Sequence, residues 1–392
     1  MDISSLRIAY IIGAPFPTIK AYGITARETL NILMDLSITA RIFCNFGEHF
    51  DRDFDPIAKL IENFQHSALD KIFTKLGKIG NLKFNAMCWR IGLLITMHKN
   101  VDEIKKFKPN IIWTRDPLVA LVCLKKIEYI HVILEIHDEA GKFFHKKLDK
   151  YVKQITFCPI NDRNRLFLEQ VNPLVTSHLA PMGIRQEFIR KEKHYGEFIN
   201  SLQQREYKSI NIGYVGKFSP NGYSKGIEDL INLAIRFQEM KIDASVTLVG
   251  AESHELIQYE EMQIRLKIVP KYLKVLGHVS HTQALKLMDE FDVLVLPSYE
   301  SKTYIGMPIK LLEYLASARI VIIADTQLYR SFFDSKFYPF FYRSGDISSL
   351  SESVHLALRA ENLKEHLQRQ VEFCRPYTWE NRTRKILDVA TR

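Results

Sequence analysis

Between residues 292 and 325 the chain reads DVLVLPSYESKTYIGMPIKLLEYLASARIVIIAD, two apolar runs separated by a polar loop and a stretch of helical period. The runs at 293–296 and 320–324 are apolar on both alternating faces, which predicts strands of a parallel sheet covered by helices on each side. Runs of the same kind recur along the whole chain. In the first half they fall at 7–12, 40–44, 111–114, 131–136 and 154–159, and in the second at 211–215, 244–249 and 273–276. Segments of helical pattern lie among them, at 24–36, 226–238 and 280–289. Such alternation predicts right-handed βαβ units and an α/β fold with two doubly wound sheets. The first series spans residues 1–190 and finishes at the turn APMGI, 180–184; the second spans 209–375. The stretch 185–208 is strongly charged and lacks a buried-strand pattern, so 191–208 is expected to be a linker. A closing helix at 376–392 is expected to pack back on the first domain. Two such domains would present their strand ends to a cleft between them.

The spacing inside 292–325 also locates candidate chemistry. Pro308 fits the first turn of a helix, where no amide hydrogen is needed and φ is already helical. The amides of Ile309 and Lys310 would then face an anion, because ligands of open α/β sheets sit outside the carboxyl ends of strands and helix amino termini there attract phosphate. Glu313 follows about one and a half turns later. It fits two readings, a carboxylate binding a sugar hydroxyl beside the phosphate or a carboxylate favouring the helix dipole. After the first strand of the second series comes YVGKFSPNGYSKGIEDL, in which Gly216 permits a tight turn, Lys217 ends the strand and Lys225 precedes a helix. Two ammonium groups at one sheet edge suit the neutralisation of a diphosphate leaving group; unrelated surface lysines are the alternative. The glycines do not form a G-x-x-x-x-G-K-[ST] loop, which disfavours an NTPase. His137, at a strand end, is either a group lining a site or a satisfied structural imidazole, while His278 and His281 read as structural.

Composition narrows the class. The 392 residues, 46% hydrophobic and 25% charged, are those of a soluble globular protein with ample cores for two or three domains. The five cysteines are scattered, with no C-x-x-C pair, and are expected to be buried reduced thiols of a cytoplasmic protein. No His, Cys and Asp cluster has metal-ligand spacing, so no metal is expected. The amino terminus lacks the pattern of a cleaved leader and is expected to begin the mature protein. The longest apolar stretch, 84–97, is short of a span and contains Arg90, so no integral membrane segment is expected. The net charge of +9 is concentrated between residues 71 and 108, where Lys71, Lys75, Lys78, Lys83, Arg90 and Lys99 alternate with Phe84, Met87 and Trp89. This pattern suits an interfacial helix on anionic lipid, or alternatively a solvated helix face. Nucleic acid is disfavoured, since no helix-turn-helix, zinc-finger or RNA-binding signature accompanies the charge.

Taken in order, YVGKF…SKGIEDLI, LVG at 248–250, LGHVSHTQALKLMDEFDVLVLPS, GMPIKLLEYLASARIVI and YTWENRTRKIL resemble glycosyltransferases of family 4, which are retaining enzymes with the GT-B fold. AYGITARETLNIL, IIWTRDPLVAL and LEIHDEAG match more loosely in the first half. The resemblance implies two Rossmann-like domains facing a central cleft, with acceptor in the first and donor in the second. It implies that Lys217 and Lys225 bind the donor diphosphate, that Glu313 is the second acid of an E-x7-E motif and holds the ribose, and that the amides of Ile309 and Lys310 contact phosphate. Val279 would lie beside the base, Gly23 in a glycine loop near the donor phosphate, and His137, one pleat from Glu135, in the sugar site. The first acid of E-x7-E is replaced by Ile305, for which Glu300 is a candidate substitute. The implied activity moves a sugar from a nucleotide diphosphate sugar to an acceptor hydroxyl with retention, in cell-envelope polysaccharide or glycolipid synthesis. The expected partners are that donor, a sugar or lipid-linked acceptor, and an anionic membrane surface at 71–108; no cofactor and no nucleic acid are expected. The expected location is cytoplasmic, peripheral on the inner membrane face. The alternatives are a GT-B nucleotide-sugar epimerase, which needs carboxylates around the sugar, and a non-catalytic two-domain sugar-binding protein.

Overall fold

The computed structural model describes residues 5–16, 21–46, 57, 59–64, 82–137, 139, 141–206, 208–219, 225–298, 309–333 and 339–392. The chain forms two compact units, Met1–Gly183 with Trp379–Arg392, and Ile184–Thr378.

The first unit is built on a parallel six-stranded sheet. Its strands are β1 (Arg7–Phe16), β2 (Thr39–Phe46), β3 (Ile61–Asn63), β4 (Ile111–Thr114), β5 (His131–Ile136) and β6 (Ile155–Pro159), in the order β3-β2-β1-β4-β5-β6. Ile8 is in register with Ala40 on one side and Ile111 on the other, so the build direction reverses between β1 and β4. Successive residues of β1 enter opposite cores, as the double covering of a parallel sheet requires. Ala9 and Ile11 pack with Leu93, Met97 and Leu118 from the helices Leu82–Lys106 and Pro117–Lys126. Ile8 and Tyr10 pack on the other face with Leu30 and Leu33 of Ala21–Asp35 and with Ile386 and Leu387 of the last helix, Trp379–Ala390.

The second unit repeats the design with β7 (Ile210–Val215), β8 (Ala244–Ala251), β9 (Leu273–Gly277), β10 (Val293–Leu296), β11 (Ile320–Ala324) and β12 (Phe340–Tyr342), all parallel in the order β12-β11-β10-β7-β8-β9. Here the reversal lies between β7 and β10. The stretch expected as a linker carries the helix Glu192–Gln204, and Tyr195, Phe198 and Leu202 on one face of it join the core of this unit. Its charges occupy the exposed face, which hid the apolar stripe.

Among the described residues no helix is long and apolar enough to cross a membrane. All five cysteines are buried thiols.

Two glycines test the packing in opposite senses. A Cβ on Gly213 of β7 would lie 2.3 Å from the ring of Phe291, whereas one on Gly196 meets nothing within 4 Å. Gly213→Ala should therefore destabilise the second unit by at least about 1–3 kcal/mol through overpacking. Gly196→Ala, in a helix interior, should stabilise it by about 1 kcal/mol. Thermal unfolding followed by circular dichroism should shift the melting temperature in opposite directions; shifts of one sign would refute this packing.

Candidate functional site

The carboxyl edge of the second sheet gathers most of the residues singled out from sequence. At the end of β7 the chain is pinned from three sides. The Gly216 amide donates to the Val249 carbonyl at 2.8 Å, and a Cβ on Gly250, whose φ is +118°, would lie 2.3 Å from the Gly216 oxygen. The Tyr214 hydroxyl donates to the Lys217 carbonyl at 2.8 Å. Tyr314, from the helix Ile309–Ala316, accepts from the Val215 amide at 2.6 Å and donates to the Val215 carbonyl at 3.1 Å. Thus the helix that carries Ile309, Lys310 and Glu313 is tied directly to the strand that delivers Lys217.

The loop after β7 returns at Lys225, whose amide donates to the Phe218 carbonyl at 3.0 Å. Gly226 follows with φ +80° and caps the helix Ile227–Glu239; its missing Cβ would lie 3.3 Å from Pro297, just beyond β10. The loops leaving the two strands at the reversal point therefore abut. Lys217 is exposed and pairs with Glu252 at 3.3 Å. Lys225 is partly buried, and that desolvation lowers its ammonium pKa to about 8.

Glu313 is nearly inaccessible, its side chain 3% exposed. One carboxylate oxygen lies 2.6 Å from Nε2 of His281 and the other 2.9 Å from the Lys310 ammonium. Burial works to raise its pKa, but the Lys310 charge and the His281 hydrogen bond hold it at about 2. His281, read from sequence as structural, is thus a direct partner of the candidate acid. It opens the helix His281–Met288 two residues after Val279, so the loop after β9 reaches the helix after β10 through this contact. Pro308, Ile305 and Glu300 lie outside the described residues, as do Lys71, Lys75 and Lys78.

The first unit has its own site at the corresponding edge. Two adjoining pockets of about 200 and 250 Å³ share Trp89, Arg115 and Asp116. The larger is bounded by Ile11, Ile12 and Gly13 of β1, and the smaller by His137 and Glu135 at the end of β5. Asp116 accepts from the Leu118 and Val119 amides at 2.8 and 3.3 Å and so fixes the start of the helix that flanks both pockets. Gly23, expected in a loop, lies in the first turn of Ala21–Asp35, next to the pocket-lining Tyr22.

Glu135 is fully buried and accepts four hydrogen bonds: from Trp113 Nε1 at 2.7 Å, from His137 Nε2 at 2.6 Å, and from Arg382 at 3.2 and 2.8 Å. Burial alone would raise its pKa; Arg382 and His137 hold it well below the usual carboxylate range. The His137 pKa falls to about 4, first through burial and then through the nearby Arg115 charge, against the upward pull of Glu135. Sequence reasoning named His137 and noted Glu135 one pleat away, but did not pair the two or name Arg382. A lone acid in the buried run HVILEI was the available signal for Glu135; nothing local pointed to Arg382, 247 residues away.

Residues 209–360 match the family model Glycosyl transferases group 1. Glycogen synthase of Mycobacterium tuberculosis is 23% identical over 220 residues, 54% of this chain and 51% of that protein. The chain spans about half the length of the curated relatives it matches. A glycosyltransferase structure from Rickettsia africae aligns over 98% of both chains with a TM-score of 0.71 at 14% identity. HepE of Anabaena, solved with UDP and glucose, aligns over 98% of this chain and 99% of its own with a TM-score of 0.65 at 12% identity. The two doubly wound units are those of the GT-B fold.

If Glu313 holds a ribose, Glu313→Gln should weaken binding of the free nucleoside diphosphate as well as of the sugar nucleotide, because an amide is a poorer acceptor for two hydroxyls than a carboxylate. Calorimetry showing unchanged nucleotide affinity would leave Glu313 as a structural acid serving His281 and Lys310.

Proposed function

We propose that this protein is a retaining glycosyltransferase that moves a sugar from a nucleotide diphosphate sugar to an acceptor hydroxyl, with the donor bound by the second unit and the acceptor by the first. The observation that carries this reading is the carboxyl edge of the second sheet. There a glycine-lined approach at Gly216 and Gly250, the ammonium groups of Lys217 and Lys225, the helix Ile309–Ala316 and its buried acid Glu313 occur in the same 209–360 stretch that matches the glycosyltransferase model. The bond from the anomeric carbon to the phosphate oxygen breaks with its electron pair leaving on the diphosphate. Lys217 and Lys225 stabilise that charge, the amides of Ile309 and Lys310 bind phosphate, and Val279 borders the base. The acceptor oxygen bonds the anomeric carbon and its proton passes to the departing diphosphate oxygen, while His137 meets a sugar hydroxyl in the first unit. No metal is needed when lysines balance the diphosphate. In this reading the product is a cell-envelope polysaccharide or glycolipid, and the protein works in the cytoplasm at the inner membrane face.

The membrane part of the reading rests on the helix Leu82–Lys106, where Phe84, Met87, Trp89 and Leu94 are all more than a third exposed. Phe84, Met87 and Leu94 repeat at helical spacing and form one apolar stripe. Lys105 and Lys106 pair with Asp102 and Glu103, so the charge that meets lipid must come from the basic residues nearer its start.

A screen of UDP-, GDP- and ADP-sugar hydrolysis without acceptor should find one preferred donor. With that donor, Lys217→Ala and Lys225→Ala should each lower kcat/KM by about 10²–10³, the loss typical for one preorganised charge-stabilising group. Near-normal turnover in both would refute the diphosphate assignment. The pH profile separates the two lysines. Lys225 is protonated below about 8 and loses its charge as pH rises through that value, so kcat/KM should decline above about pH 8. Lys225→Arg, which keeps its charge, should extend the plateau to higher pH.

Replacing Lys75, Lys78 and Lys83 by Gln should release the protein from anionic vesicles. Each lysine at such a surface contributes about 1 kcal/mol, and wild-type binding should fade as added salt shortens the screening length to roughly 3 Å at 1 M. Equal partition of wild type and triple variant would point to a solvated face and a soluble acceptor.

A further inference from the structure

We propose that Glu135 and Arg382 are positioning residues that hold His137 with a bare Nδ1 lone pair, so that the ligand group received there is a hydrogen-bond donor, a sugar hydroxyl. The inference deepens the transferase reading and rests on it only for the identity of the ligand.

A carboxylate with no solvent exposure remains ionised only when charged and polar donors fill its oxygens, and the donors around Glu135 do so. Oε1 receives the Trp113 indole N–H and one Arg382 N–H; Oε2 receives a second Arg382 N–H and His137 Nε2. An ionised carboxylate accepts and does not donate, so the proton in the 2.6 Å contact belongs to His137 Nε2. A neutral imidazole with that tautomer has an unprotonated Nδ1. Among the described residues no group hydrogen-bonds Nδ1, and His137, its side chain 9% exposed, lines the pocket of about 200 Å³.

A second proton on the ring is opposed from several elements. Burial is the largest cause, and the cationic Arg115 beyond β4 and Arg382 on the last helix add to it. Glu135, on the strand that ends at His137, favours the proton but is already committed to Arg382. Tyr10 on β1 is pushed up by burial and Cys158 on β6 is pushed up to about 12, so both stay neutral. His137 lines a pocket whose wall also carries Arg90 and Arg115. An ammonium ligand would be repelled and a carbonyl or phosphate oxygen has no proton to give. A hydroxyl satisfies the imidazole, and neighbouring acidic or polar groups of the same sugar suit the arginines.

Stability alone does not account for the cluster, because well-packed apolar groups of similar volume often serve a core as well as a buried ion pair does. Arg382 adds what apolar packing lacks: a planar fork that fixes the carboxylate, which in turn fixes the imidazole tautomer and plane. The last helix thus supplies a residue to the pocket through His137.

The first test uses the unmodified protein with 15N-labelled histidine, His137 being assigned by the resonances lost in His137→Gln. Long-range 1H–15N correlation should show the Nε2–H tautomer, without titration between about pH 5 and 8. An Nδ1–H tautomer, or titration in that range, overturns the proposal. In Arg382→Lys, which keeps the charge and loses the fork, the His137 tautomer should become mixed. With the donor found by the hydrolysis screen, kcat should fall by about 10²-fold, as for a group misplaced by about 1 Å, with donor KM and calorimetric nucleotide affinity unchanged. Wild-type kcat alongside a mixed tautomer would also overturn it. A wild-type protein that keeps the Nε2–H tautomer but transfers no sugar supports the positioning while counting against the transferase reading.

Discussion

In each sheet the build direction reverses once, between β1 and β4 in the first unit and between β7 and β10 in the second, and the placement of both sites follows from those two reversals. Strands on either side of such a point send their connections to opposite faces, so the carboxyl edge there is left uncovered. A parallel sheet buried on both faces has no room for chemistry along its strands, and polar groups are pushed to the ends. The pocket of about 250 Å³ in the first unit is bounded by the ends of β1 and β4, and the paired loops near Gly226 and Pro297 in the second by the ends of β7 and β10.

At the second edge the geometry is held by close contacts rather than by length of loop. The Gly250 position tolerates neither a side chain nor an ordinary backbone angle, and the result is a direct approach of β8 to the turn after β7. The Tyr314 hydroxyl satisfies both backbone groups of Val215 and is itself fully satisfied, so a buried polar atom costs nothing at a place where the strand ladder ends. With this tie in place, a movement of the helix Ile309–Ala316 is transmitted to the backbone that carries Lys217. Glu313, buried beside His281 and Lys310, adds a charged anchor on the same helix.

Most of the scaffold was legible in the residues because doubly buried strands write a continuous apolar run. The expected strand 7–12 proves to be the amino-terminal part of Arg7–Phe16, and 131–136 coincides with β5. The short edge strands β3 and β12, three residues each, were too brief to leave a pattern. The helix Glu192–Gln204 was hidden because only Tyr195, Phe198 and Leu202 are buried on it, against a dense charged face. The lysines and Glu313 were singled out from motif order, whereas the side chains that the fold places beside them were not. His281, 32 residues from Glu313, and Arg382, at the far end of the chain from Glu135, become neighbours only through the topology.

The two edges solve the problem of buried charge in opposite ways. In the first unit the buried Glu135 is neutralised by Arg382, and the pocket receives a directional imidazole beside Arg90 and Arg115. In the second, burial of Lys225 lowers its ammonium pKa to about 8. A group in that condition gains more from an arriving anion than an exposed lysine such as Lys217, because less of its charge is already screened by water. The first arrangement selects by hydrogen-bond direction and the second by charge.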